Sequence, residues 1–200
     1  MIDSILFDFD GVLADTEPIH FACWREVLAG VGIEVAESRL PEFVGVSDRA
    51  MLERLGAERR PPVSAEELWP SYERKKALFR ERIADLDVVP AETVELLKRL
   101  RSIYRLAVVS SSHKSEVEPP LERAGIRPFF HALVCGMEVQ NLKPAPDPYL
   151  KAAELLGAKT PLVVEDSDAG VASGRAAGFE VLRVSGAGAL ARELGAFLRV

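Results

Sequence analysis

LFDFDGVLADT, residues 6–16, is the point at which an apolar, β-prone run ends in two carboxylates with a glycine directly behind them. Ser4–Phe9 reads as a strand covered on both faces, the pattern of a central strand in a parallel sheet. Asp8 and Asp10 stand two apart, so on an extended backbone both side chains point the same way while Phe9 points into the core. Two carboxylates crowded at the mouth of a buried strand repel each other and lose hydration, which calls for a cation or a shared proton in compensation. A divalent metal is implied. Gly11 lets the chain turn sharply where a side chain would obstruct a ligand.

Composition sets the bounds around this stretch. Two hundred residues with 48% hydrophobic content are enough for one large core and a small accessory module. A net charge of −6 without a long basic run argues against nucleic acid as a partner. MIDSILF carries an acid at position 3 and a short apolar run, so neither a signal peptide nor a membrane span is expected. Cys23 and Cys135 match no metal spacing, and a soluble, reduced, cytoplasmic protein is the reading that follows.

Behind the opening strand the chain turns helical. Pro18 suits a first helical turn, and Ile19, Ala22, Cys23, Val27 and Leu28 fall near one face before Gly30 and Gly32. Shorter helical pieces are expected around Ser38–Phe43 and Asp48–Leu55. After RRPPVS, Ser64-Ala-Glu-Glu67 reads as a capping box. Pro70 predicts a kink or a late start in the helix that follows. No strand is expected between Leu13 and Leu86.

The remainder alternates. Helices are expected over Pro90–Ser102 (Val94, Leu97 and Leu100 inward), Lys114–Ala124, Asp147–Leu156, Ala169–Ala177 and in the tail, with strands at Leu106–Ser110, Ala132–Cys135, Leu162–Glu165 and Val181–Val184. Pro119-Pro120 must kink or divide the second of these helices. Such alternation predicts an α/β fold, a doubly wound, mostly parallel sheet with helices on both faces. The expected domains are an α/β core, residues 1–14 and 86–200, and an inserted all-helical module, residues 15–85.

In such sheets ligands bind beyond the carboxyl ends of the strands. Alternation alone therefore puts Asp8 and Asp10, Ser110, and Glu165-Asp166 along one edge. Each has a second reading: Ser110-Ser111-Ser112 as an N-cap cluster, Lys143 before Pro144 as surface, and Glu165-Asp166-Ser167-Asp168 as cap and dipole chemistry with Asp168 the better cap.

The pattern DxDGxLxDT resembles the nucleophile motif of the haloacid dehalogenase superfamily, mostly Mg²⁺-dependent phosphatases and phosphomutases, and four motifs occur in the family's order over nearly the whole chain. The resemblance implies a Rossmann-like core with a helical cap at 15–85. It makes Asp8 the nucleophile and Asp10 the general acid and base, an acid the dehalogenases themselves lack. Ser110 and the Ser111 backbone would hold phosphoryl oxygens near Gly11, and Lys143 would neutralise them. Mg²⁺ would be bound by Asp8, the Asp10 carbonyl and Asp166, with Glu165 direct or through water.

His20 and FVGVSDR, residues 43–49, resemble the β-phosphoglucomutase-like branch, which implies substrate contacts from His20, Gly45, Val46 and Ser47. That mutase carries a lysine before the glycine and an arginine directly after the serine; Val44 and Asp48 stand here, and Arg49 is displaced by one residue. Lys75 matches a substrate lysine or, within Arg74-Lys75-Lys76, a solvated face. His20 beside Phe21 and Trp24 is equally read as packing. The expectation is a monomeric Mg²⁺-dependent phosphatase of small phosphorylated metabolites, sugar or polyol phosphates, with no nucleic-acid or membrane partner. A phosphohexomutase is the alternative, and a phospho-aspartate switch module the remote one.

Overall fold

Ser4–Phe7 forms β1, and all four of its residues are buried because helices cover the sheet on both sides. The strand is shorter than the sequence predicts: it stops before Asp8, and Phe9 to Ala14 fold into a tight loop in which the Phe9 carbonyl accepts from the Leu13 and Ala14 amides at 2.9 and 3.0 Å. The computed structural model describes residues 1–199 and divides into two compact units, residues 1–15 with 87–200 and residues 16–86.

The second unit is helical. Its helices are α1 (Glu17–Ala29), α2 (Asp48–Ala57), α3 (Ala65–Leu68) and α4 (Ser71–Ile83), with a 3-10 turn at Glu37–Glu42 between the first two. Ser64 and Glu67 make the capping box of α3 reciprocally. Pro70 ends that helix and caps the next, so what reads as one interrupted helix is two. Phe21, Trp24, Leu28, Leu52, Leu55 and Leu68 form the centre of this unit's own core.

The first unit continues with α5 (Ala91–Leu100), β2 (Arg105–Val109), α6 (Lys114–Arg123), β3 (Ala132–Val134), α7 (Asp147–Leu156), β4 (Pro161–Glu165), α8 (Asp168–Ala176), β5 (Glu180–Arg183) and α9 (Leu190–Leu198). The five strands are all parallel in the order β3-β2-β1-β4-β5. Strand alternation sorts the core into two layers. Ile5 and Phe7 pack with α5, α6 and α9 through Leu97, Val117 and Leu194, while Leu6 packs with α7 through Tyr149, Ala152 and Leu156. The expected doubly wound α/β sheet is present.

Of the two outcomes expected at Pro119-Pro120, division does not occur: α6 is one helix, in which each proline forfeits a donor while its fixed φ stays within the helical range. Two local expectations need correction. Val94 is only partly buried, and Leu96 joins Leu97 and Leu100 inside. Ser167 rather than Asp168 caps α8, its hydroxyl accepting from the Gly170 amide at 3.0 Å. Among the described residues no helix is long and apolar enough to cross a membrane.

Candidate active site

The sheet order puts β1 between β2 and β4, so the chain crosses to opposite sides of the first strand and leaves a crevice at its carboxyl end. Phe7 lies in register with Val108 and with Val164. Residues immediately beyond these positions on three different strands are therefore neighbours: Asp8, Ser110 and the Glu165-Asp166 pair.

Lys143 ties them together. Its Nζ donates to Asp8 Oδ1 at 2.6 Å, to Glu165 Oε1 at 2.6 Å and to the Val109 carbonyl at 3.0 Å. The surface alternative for Lys143 fails, since its side chain is only 6% exposed. Burial works against the charged ammonium, but the two carboxylates more than offset it and hold the pKa above the usual lysine value. Glu165 is fully buried and saturated: Tyr149 donates to Oε1 at 2.7 Å, and Oε2 accepts from the Asp166 amide, the Ser167 amide and the Ser167 hydroxyl at 3.1, 3.3 and 3.1 Å. Burial alone would raise its pKa; Lys143 and these donors bring it below the usual value.

The negative charge is not fully compensated. Burial, followed by the Glu165 charge, pushes Asp8 well above the usual aspartate range despite the adjacent ammonium. Asp166 is pushed up to about 6, by burial first and Glu165 second. Ligand atoms of Asp8, Glu165 and Asp166 lie within 4.8 Å of one another. All are hard oxygen donors, the set that Mg²⁺ or Ca²⁺ prefers, and an excess of buried negative charge is what such an ion relieves. With five protein donors already on Glu165, Asp8 and Asp166 have the freer oxygens. Two glycines make room: Gly11, at φ +80°, where a Cβ would overlap Asp166 Oδ2, and Gly170, where a Cβ would overlap the Glu165 carboxylate.

Asp10 departs from the expected parallel pair. β1 ends at Phe7, and the Asp10 carboxylate is not among the three whose ligand atoms group together, although its charge still adds to the raised pKa of Asp8 and of Asp166. Asp10 Oδ2 instead accepts from Ser112 Oγ at 2.8 Å and Ser110 Oγ at 3.2 Å. Ser110 Oγ in turn accepts the Ser112 amide at 3.0 Å, which fixes the loop through Ser111. The N-cap reading of the three serines does not hold, since His113 caps α6. Ser112 and Tyr149 are site residues that the sequence reading missed. Neither lies in a recognisable spacing, although a tyrosine on the inward face of a helix must find a partner for its hydroxyl.

The remaining candidates lie in the helical unit. His20 is buried and stacked on Phe79 with centroids 3.7 Å apart. Gly45, at φ +71°, donates its amide to Glu17 Oε1 at 3.3 Å, Val46 is exposed, and Ser47 caps α2. Arg49 is half exposed and paired with Glu53 and Glu66 over the Trp69 ring. Lys75 is not on a solvated face: its side chain is 1% exposed, 3.7 Å from Asp48 Oδ2, among the rings of Trp24, Tyr72 and Phe79. Trp24 Nε1 donates to the same Asp48 carboxylate at 2.5 Å. Glu17, His20, Trp24, Val46 and Asp48 line part of a cavity of about 40 Å³.

Comparison with known proteins identifies the family and the fold. The haloacid dehalogenase-like hydrolase pattern matches residues 5–184. The chain is 31% identical over 187 residues to the fructose-1-phosphate phosphatase YqaB of Escherichia coli, covering 90% of this chain and 95% of that protein. It is 33% identical over 182 residues to a phosphorylated carbohydrates phosphatase of Thermotoga maritima, covering 90% and 83%. The crystal structure of CbbY from Rhodobacter sphaeroides in complex with phosphate superposes with a TM-score of 0.80 at 26% identity, over 93% of this chain and 87% of that one. The chain belongs to the haloacid dehalogenase-like hydrolase family.

Proposed function

We propose that the protein is a Mg²⁺-dependent phosphatase of small sugar or polyol phosphates that works through an aspartyl-phosphate on Asp8. The observation that carries this reading is the placement of one buried ammonium, Lys143, between Asp8 and Glu165, beside the Asp166 carboxylate. Both the E. coli and the T. maritima relatives are named for phosphorylated sugars, which supports the substrate class.

Asp8 attacks phosphorus, forming an Oδ–P bond as the ester P–O bond breaks, and Asp10 gives its proton to the departing oxygen. Asp10, now a carboxylate, takes a proton from water as that water attacks phosphorus, and cleavage of the Oδ–P bond returns Asp8 and releases phosphate. Ser110 and Ser112 hold Asp10 for both transfers, and Lys143 offsets the charge of Asp8 and of the phosphoryl oxygens. Asp8 and Asp166 would hold Mg²⁺, which supplies neutralisation of the phosphoryl charge during transfer.

The helical unit supports hydrolysis over a mutase. Arg49 is engaged by Glu53 and Glu66, and the Lys75 charge is met by Asp48. Cations committed to carboxylates grip a second phosphate less well. His20, Gly45, Val46 and Ser47 are retained as candidate specificity residues. The test is a panel of phosphorylated metabolites assayed for phosphate release with Mg²⁺, including β-glucose 1-phosphate with a trace of its 1,6-bisphosphate. Sugar monophosphates should lead the panel, and phosphate should appear at least as fast as glucose 6-phosphate. Isomerisation with little phosphate released would establish the mutase instead.

A further inference from the structure

We propose that Tyr149 is a positioning residue for phosphoryl transfer, acting through Glu165 on Lys143. The proposal rests on the phosphatase reading above. Tyr149 is fully buried in α7, packed with Ala152, Ala153 and Leu156 against the sheet. That packing asks for a large ring and nothing more; phenylalanine would fill the same space. The hydroxyl is therefore the informative part, because burying one is costly unless it is hydrogen-bonded. Its partner belongs to the site: the hydroxyl donates to Glu165 Oε1 at 2.7 Å.

The same Oε1 accepts from Lys143 Nζ at 2.6 Å, and the ammonium stands 5.0 Å from the centre of the Tyr149 ring. Ring and hydroxyl thus meet Lys143 from two directions, one directly and one through the shared oxygen. The terminal torsion of a glutamate is broad, so a carboxylate needs donors on both oxygens to stay oriented. Oε2 has three, from Asp166 and Ser167, and Oε1 has the ammonium and the phenol. Without the phenol, Oε2 keeps its three donors but Oε1 keeps only Lys143, the group it is meant to hold, so the carboxylate is less firmly fixed on the side that faces the ammonium. Lys143 then shares itself between Asp8 and a less fixed Glu165, and its alignment with Asp8 loosens. Misalignment of a charged group at a reacting centre is felt mainly in the transition state.

The experiment compares wild type, Tyr149→Phe, Lys143→Ala and the double variant, with an aryl phosphate and Mg²⁺, and records thermal midpoints. In Tyr149→Phe, kcat should fall about tenfold while KM changes less than about twofold. In the Lys143→Ala background the same change should cost nothing further, because the group it positions is gone. A Tyr149→Phe kcat within about twofold of wild type, or an undiminished loss in the Lys143→Ala background, would overturn the proposal. So would failure of Tyr149→Phe to fold, which would make the hydroxyl structural. A wild type without turnover overturns the phosphatase reading instead. A second arm needs no turnover: the Lys143 Nζ resonance in ¹⁵N NMR, assigned by its absence from Lys143→Ala, should move in Tyr149→Phe. Coincident resonances would contradict the proposal.

Discussion

Ser112 Oγ and Asp10 Oδ2 are joined by a 2.8 Å hydrogen bond between residues 102 positions apart, while Asp8, two residues from Asp10, is bonded to Lys143. The two aspartates of one short motif therefore work in different surroundings. Asp8 sits with the acids and the ammonium; Asp10 sits with hydroxyls that can follow it through a change of protonation. Environment of this kind is how paired carboxylates take separate roles.

Removing the Ser112 hydroxyl should loosen Asp10 without touching Asp8. Ser112→Ala should lower kcat about fivefold to tenfold with an alkyl phosphate, whose poor leaving group needs Asp10's proton, and less with an aryl phosphate that needs little help. Rates measured with both esters decide it; equal losses would show that Ser112 does not act through the general acid.

Gly170 offers a test in which helix propensity and site geometry disagree. Glycine to alanine within a helix ordinarily stabilises by about 0.5–1 kcal/mol. Here a Cβ would overlap the Glu165 carboxylate, so Gly170→Ala must displace the group that holds Lys143. The variant should be less stable than wild type by denaturant titration and lose at least about tenfold in kcat. A stabilised, fully active Gly170→Ala would show that the carboxylate has room to spare.

The acidic cluster predicts a pH-dependent metal effect. Burial, and then Glu165, raises Asp166 from the usual 3.8 to about 6, so the folded protein binds this proton more tightly than the unfolded chain does. The contribution of this group to metal-free stability is full below the usual value and is lost as pH rises through about 6. A divalent ion prefers the ionised form and reverses the trend. The rise in thermal midpoint on adding Mg²⁺ should therefore be larger near pH 7.5 than near pH 5. An equal rise at both would place the ion elsewhere.

Legibility of the sequence divides along the same physical line as these tests. Asp8, Gly11, Glu165 and Asp166 are readable because strand ends and tight turns are local features and alternation brings the strand ends to one edge, whereas Lys143, which reads as surface on its own, is singled out only by the family resemblance. The sheet itself followed from the same alternation. Ser112 and Tyr149 were not readable as site residues. Their roles depend on partners at Asp10 and Glu165 that only the folded sheet supplies, 102 and 16 positions away. Asp10's bonding to the serines was hidden because nothing in FDFDG marks where β1 stops. Lys75 misled for a related reason: within Arg74-Lys75-Lys76 it reads as solvent-facing, yet Trp24 and Phe79 enclose it. A buried lysine is visible only once the helices that carry those rings are placed.

The central claim is that Asp8 carries the phosphoryl group, and borohydride trapping tests it most directly. Borohydride reduces an acyl phosphate but not a free carboxylate, so protein quenched during turnover of an aryl phosphate with Mg²⁺ should contain homoserine at position 8 by mass spectrometry. Asp10→Asn, slowed in releasing phosphate, should contain more. No homoserine at position 8 in protein quenched during measured turnover, or reduction at another carboxylate, would contradict the account.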